Sequence, residues 1–264
     1  MNLLNLTDEQ SKALDQLCKI VNFGADCLEN SKIDRKKIRI RKKLFLLMMS
    51  AAHNYTEGIY ELCKQSRTHS CFVLMRSLIE NRINAKSLFA SKGLDGVYGY
   101  LLESYNEEKK MLERMLELKK RRLCVPMLKN LSEKHLNKKI KSFDKIINTI
   151  KKKYPESISF QKAYNRAEKI DEFNRIKKYR SESLKVEYES FYRLYSSNSH
   201  LTLRHGLDTF ISVGEDDILE ILLSGDVNDL ERILQHTFYF YQDILRMFLI
   251  HFKSPFRKEL KNYL

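Results

Sequence analysis

The sequence predicts an all-α protein, and three observations carry that expectation. Only three prolines and eight glycines occur in 264 residues, too few breakers for a chain made mainly of turns. Leu, Lys, Glu and Ile are abundant. Apolar residues recur at three- and four-residue spacing in one segment after another, the repeat expected when each helix buries one face. A chain of this length buries a sizeable core, and no internal repeat of fixed period appears.

Thr7 and Gln10 have capping-box spacing, and Leu14, Leu17, Val21, Ala25 and Leu28 behind them form the stripe of a first helix. Asn30 and Ser31 end it. A second helix is expected from about Asp34 to Gln65, with basic first turns and then Phe45, Met48, Met49, Ala52, Tyr55, Ile59 and Cys63 on one face. The two methionines read as core filler. The third, about Thr68 to Ser91, buries Leu74, Leu78, Ile79, Ile83 and Phe89, yet Arg76, Glu80 and Asn84 stand four apart along it. Such a polar line in an apolar helix demands partners elsewhere in the bundle.

Ser91 to Gly99 has the composition of a loop and lacks the glycine spacing of a phosphate cradle. A charged helix is expected over about Tyr100 to Leu123, stopped by Pro126. A very basic one follows from Lys129 to Lys153, with Leu136, Ile140, Phe143, Ile147 and Ile150 as its stripe and Tyr154 and Pro155 as its end. Further helices are expected over about Ser159 to Lys178 and Glu182 to Tyr195, and a new one near Ser196 to Ser199. A loop around Gly214 and an acidic segment lead to a final helix, Asp226 to His251, and a short basic tail. The chain thus reads as a single all-helical domain spanning 1–264, with a basic helical hairpin inserted at about 100–180.

Charge is unevenly distributed around a net of +14. Seven basic residues and no acid lie between Arg35 and Lys43, and sixteen basic residues face six acids between Lys129 and Arg180. The segment His205 to Phe252 reverses this, with nine acids against two Arg or Lys. The basic parts suit a polyanionic partner, whose phosphates supply sequence-independent affinity. Arg39, Arg41, Lys42, Lys138, Lys139, Lys151 and Lys152 are the candidate RNA contacts.

Cys18, Cys27, Cys63, Cys71 and Cys124 are odd in number and lack CxxC spacing, which points to reduced, buried thiols in a cytoplasmic protein. No secretory signal is visible, and the apolar run Leu44 to Ala52 is far below the roughly 20 residues of a membrane span. No membrane association is expected. HExxH, paired ExxH motifs and clustered Asp or His ligands are missing from the sequence, so neither a metal nor another cofactor is called for.

The stretch Tyr188 to Gly206, YESFYRLYSSNSHLTLRHG, breaks the helical pattern with a polar cluster holding Arg193, Ser196, Ser199, His200 and His205. An Arg followed after four to six residues by a His, near the start of a late helix, resembles the motif of the HEPN superfamily. Arg76 and Glu80 on one helix, with Ser196 and His200 later, also resemble an uncharacterised bacterial helical family that we place near HEPN. A second Arg-to-His match, Arg246 and His251, lies within a regular helix, where five residues set side chains about 140° apart, and reads as structural. The resemblance covers the two apolar halves and leaves out the basic middle.

HEPN resemblance implies a helical bundle and a metal-independent endoribonuclease, with Arg193 and His200 catalytic and Arg76, Glu80, Ser196, Ser199 and His205 in support. It implies a homodimer whose two motifs face one cleft, and a role as a toxin or antiviral defence effector with a regulatory protein partner. Leu194 departs from the pattern, since such nucleases often carry Asn, Asp or His directly after the Arg. That departure favours a non-catalytic module binding a nucleotide or a partner protein, and the basic middle favours a non-catalytic RNA-binding subunit.

Overall fold

The computed structural model describes residues 6–31, 33, 38–90, 94–121, 131–176, 183–192, 211–213, 219–221 and 229–263. Helix α1, Asp8–Glu29, starts at Thr7, whose hydroxyl accepts from the Gln10 backbone while the Gln10 side chain accepts from the Thr7 backbone. Both arms of the capping box are therefore present. Helices α2, Ile40–Lys64, and α3, Thr68–Ala90, pack on each other across a tight turn in which Ser66 takes a positive φ of 57°. The last long helix, α8, Leu230–His251, lies against α1, α2 and α3.

These four helices bury the main core, including Leu17, Phe45, Met49, Met75, Phe240 and Phe248. Met48 and Met49 are fully enclosed there. Tyr241 reaches from α8 to the backbone of α1, and its hydroxyl bonds His53 Nδ1 at 2.8 Å. Gly24 makes that approach feasible, because a Cβ at this position would lie 1.8 Å from the Tyr241 oxygen. Burial pushes the Tyr241 pKa up and the His53 pKa down, so both stay neutral near neutral pH. Cys27, Cys63 and Cys71 are free and buried, with Cys63 and Cys71 Sγ atoms 3.7 Å apart; Cys124 lies outside the described residues.

The middle of the chain forms a second layer. Helix α4, Asp95–Lys120, pairs with α5, Glu133–Lys153, around Leu102, Ile147 and Ile150. Tyr98 stacks on Tyr154 at 3.9 Å, and Lys109 pairs with Asp144 at 2.6 Å further along, so the two helices run antiparallel. Ser132 caps α5, and a 3₁₀ turn, Pro155–Phe160, follows it. The segment at Asp95–Gly99 corrects the expected loop, since it is the first turn of α4. A Cβ on Gly99 would lie 2.4 Å from Phe160 Cβ and 2.8 Å from the Ser157 carbonyl. That glycine serves close packing rather than a turn.

Helix α6, Ala163–Ile176, packs on α3 and ties the layers together. Its buried Arg166 pairs with Glu103 at 2.7 Å, donates to the Phe160 carbonyl at 2.9 Å and lies over the Tyr100 ring. Asp171 of α6 then caps the short α7, Leu184–Glu187, accepting from the Leu184 and Lys185 backbone at 2.8 and 2.9 Å. One π-helical turn, Tyr188–Tyr192, continues α7 within the helix expected to Tyr195, whose residues 193–195 lie outside the described residues. Among the described residues the architecture is all-α apart from a backbone pairing of β1, Ile211–Val213, antiparallel with β2, Leu219–Ile221. Among the described residues no helix is long and apolar enough to cross a membrane.

Candidate functional site

Arg76 and Glu80 sit one helical turn apart on α3, half-buried, on the side against which the π turn packs. Arg76 donates from Nη2 to the Tyr192 hydroxyl, and its guanidinium lies 4.6 Å from the centre of that ring. Burial raises the Tyr192 pKa, and the charge of Glu80 and a hydrogen bond to it raise it further. The hydroxyl thus accepts from a cation and lies close to a carboxylate. Tyr188 stacks on Tyr192 at 4.5 Å, and its own pKa is raised by burial and then by Tyr192 and Glu80. Both phenols remain protonated at neutral pH.

The cluster exists because four constraints meet. The α3 stripe of Met75, Leu78 and Ile79 is buried against the core, which turns Arg76 and Glu80 sideways. Asp171 fixes the start of α7, and Leu184 is buried. The π turn, a local irregularity frequent at functional sites, then presents Tyr188 and Tyr192 on the α3 side. Tyr192 is the residue immediately before Arg193. Arg193, Ser196, Ser199, His200 and His205 themselves lie outside the described residues.

Beside the cluster, between α2, α3 and α4, is a cavity of about 210 Å³ whose lining includes Tyr55, Ser77, Glu80, Asn81, Asn84 and Tyr100. Asn81 donates to the Met48 carbonyl at 2.6 Å, and the buried Asn84 Oδ1 has no hydrogen-bond donor among the described residues. The predicted polar line of α3 therefore divides, with Arg76 turned to Tyr192, Asn84 to the cavity, and Glu80 touching both.

A second polar cluster on α3 has no counterpart among the sequence-based expectations. Arg82, only 2% exposed, reaches Glu187 of α7 and donates from Nε to Asp243 of α8 at 2.7 Å. Lys86 also pairs with Asp243 at 2.7 Å, and the Arg82 guanidinium lies over Tyr239 and Phe240. Despite the burial, Asp243 and Glu187 keep Arg82 charged, while burial pushes the Glu187 pKa up against the pull of Arg82. The available signal was a pair of cations four apart, Arg82 and Lys86, in an apolar helix.

The candidate RNA contacts occupy two places. Lys138, Lys139, Lys151 and Lys152 are exposed on α5, where Lys134, Lys138, Lys141 and Lys145 line one groove along the helix. Spacings of four, three and four put those lysines on one face. Arg39 directly precedes α2, Arg41 is half-buried, and Lys42 lies 5.4 Å from the centre of the Phe252 ring. Arg246 is exposed whereas His251 packs among Phe45, Phe89 and Phe252, so those two do not form one site. Burial and the nearby Lys42 and Arg41 push the His251 pKa down. Among the described residues no three His, Cys, Asp or Glu side chains are grouped to hold a metal ion.

Comparison with curated proteins and with solved structures gives no match. A family model described as a family of unknown function, DUF5677, matches residues 42–218. That span contains Arg76, Glu80, Tyr192, Arg193, Ser196 and His200. Matching well over half of the chain, it establishes that this protein belongs to the DUF5677 family.

Proposed function

We propose that the chain is a metal-independent endoribonuclease of HEPN type, acting in the cytoplasm as a homodimer. One observation carries the reading: the Arg76, Glu80 and Tyr192 cluster stands at the entry to the segment that holds Arg193 and His200. The substrate 2′-hydroxyl attacks the adjacent phosphorus, the bond to the 5′-oxygen breaks, and a 2′,3′-cyclic phosphate and a 5′-hydroxyl result. His200 serves as general base or acid, since an imidazole transfers protons near neutral pH. Arg193 holds the phosphate and offsets the charge that grows in the transition state, and Arg76 supports it. Glu80 and Tyr192 orient Arg76, and Ser196, Ser199 and His205 complete the polar surroundings. The lysine face of α5 gathers RNA. Such an activity fits a toxin or antiviral defence effector restrained by a regulatory protein.

A second reading has its own support. Leu194 replaces the polar residue usual after the motif Arg, and the Arg76 guanidinium is already engaged by Tyr192. The same cluster then serves a non-catalytic subunit that binds a nucleotide, RNA or a partner protein. Cleavage of a mixed RNA pool in EDTA separates the two, using wild-type protein and folded His200→Ala and Arg193→Ala variants. Activity lost in both variants supports the nuclease; cleavage that survives both sinks the site, and RNA binding without cleavage favours the second reading.

A further inference from the structure

The geometry points to the cavity between α2, α3 and α4 as a base-binding site selective for guanine. This inference rests on the reading of the chain as an RNA-directed protein, and adds which base it holds. The cavity has room for about seven waters, enough for one planar heterocycle and too little for a whole nucleotide. Two acceptors stand in it: the Glu80 carboxylate lines it, and the buried Asn84 oxygen finds no donor among the described residues. Occupants must therefore bring adjacent donors. Guanine alone among the four RNA bases presents two neighbouring donor groups, N1–H and N2–H₂, on its pairing edge, and a carboxylate accepts from both. Adenine and cytosine offer a donor beside an acceptor, and uracil one donor between two acceptors.

Tyr55 of α2 and Tyr100 of α4 also line the cavity, and Ala51 leaves space on the α2 side. Aromatic side chains are the usual platform for an unstacked RNA base, with specificity read on its edge. Glu80 joins the two regions, because it also lies against Tyr192 and one turn from Arg76.

Equilibrium titration with the four nucleoside 5′-monophosphates, followed by calorimetry or amide NMR, tests the site. These ligands have no phosphodiester to cleave, so the result is independent of nuclease activity. Guanosine 5′-monophosphate is expected to bind roughly tenfold or more tightly than the other three. The isosteric Glu80→Gln change should remove that preference, and Ala51→Leu, which fills the space without touching a polar group, should abolish binding. Circular dichroism verifies that each variant is folded. Equal affinity for all four, no guanine nucleotide binding below about 1 mM, or a preference that survives both variants overturns the proposal. Agmatine binding as tightly as the guanine nucleotide also overturns it, in favour of an arginine side chain from a protein partner. Guanine-selective binding without RNA cleavage leaves this site standing and removes the nuclease reading; cleavage with no selective binding does the reverse.

Discussion

Arg76 of α3 and Tyr192 of the π turn, 116 residues apart in sequence, are joined twice, by a guanidinium-to-hydroxyl hydrogen bond and by the stacking of that guanidinium on the phenol ring. The hydroxyl carries the first link only. Tyr192→Phe is expected to keep the stack and lose about 1–2 kcal/mol, measured by urea denaturation. A double-mutant cycle with Arg76→Ala should show coupling of at least about 0.5 kcal/mol; additive effects would mean that the two act apart.

Arg82 gives a larger effect. Its replacement by Leu leaves the buried Glu187 carboxylate without its cation and Asp243 with Lys86 alone. Loss of one partner from a buried pair costs about 3–5 kcal/mol. Chemical denaturation should show that loss, whereas Lys185→Ala, which breaks the surface pair with Glu168 at 2.9 Å, should leave stability almost unchanged.

His236 makes stability depend on pH. Burial beside Phe191 and Phe240, and then Arg232, push its pKa down to about 4. Above the unfolded value near 6.5 the ring is neutral in both states and the contribution is fully present. As pH falls from there toward 4, the unfolded chain takes up a proton that the folded one refuses, so stability drops. Because His236 is only partly buried, the loss should be about 1–2 kcal/mol. Urea midpoints at pH 7 and 5 should differ more for wild type than for His236→Gln.

Gly99→Ala is expected to cost about 3 kcal/mol or more, because the new methyl meets the Ser157 carbonyl, which a side-chain rotation cannot clear. Calorimetric Tm values provide the measurement. Gly58→Ala serves as the control, since its Cβ would meet only the Leu74 Cδ1 at 3.0 Å, the end of a flexible side chain.

Replacement of Lys138, Lys141 and Lys145 together by Ala should weaken RNA binding and flatten its salt dependence. For every phosphate that a lysine no longer neutralises, the slope of log K against log salt falls by about 0.7–0.9. Fluorescence anisotropy over a salt series measures it; an unchanged slope would show that this face is only a solvated surface.

Local signals in the chain are legible, and partners distant in sequence are not. The capping box at Thr7 and the polar line on α3 follow from spacing over three or four residues, which the helix itself makes neighbours. Gly99 misleads because its role is set by Ser157 and Phe160, which reach it only after α5 has folded back along α4. Arg82 and Lys86, four apart on the same helix, give a signal of the same kind, but their partners Glu187 and Asp243 stand far along the chain, 105 and 161 residues from Arg82, and cannot be read from it. Spacing on α3 shows that Glu80 needs partners; only tertiary structure supplies Tyr192 and the cavity.

Glu187 and Tyr192 belong to one short stretch of chain, and each is fastened to a different side of α3, the first through Arg82 and the second through Arg76. Two bolts on one bracket prevent both sliding and swivelling. Loosening either would let the bracket pivot about the other, so a change at Asp243 on α8, remote from Arg76, would still alter the heading with which the backbone departs from Tyr192.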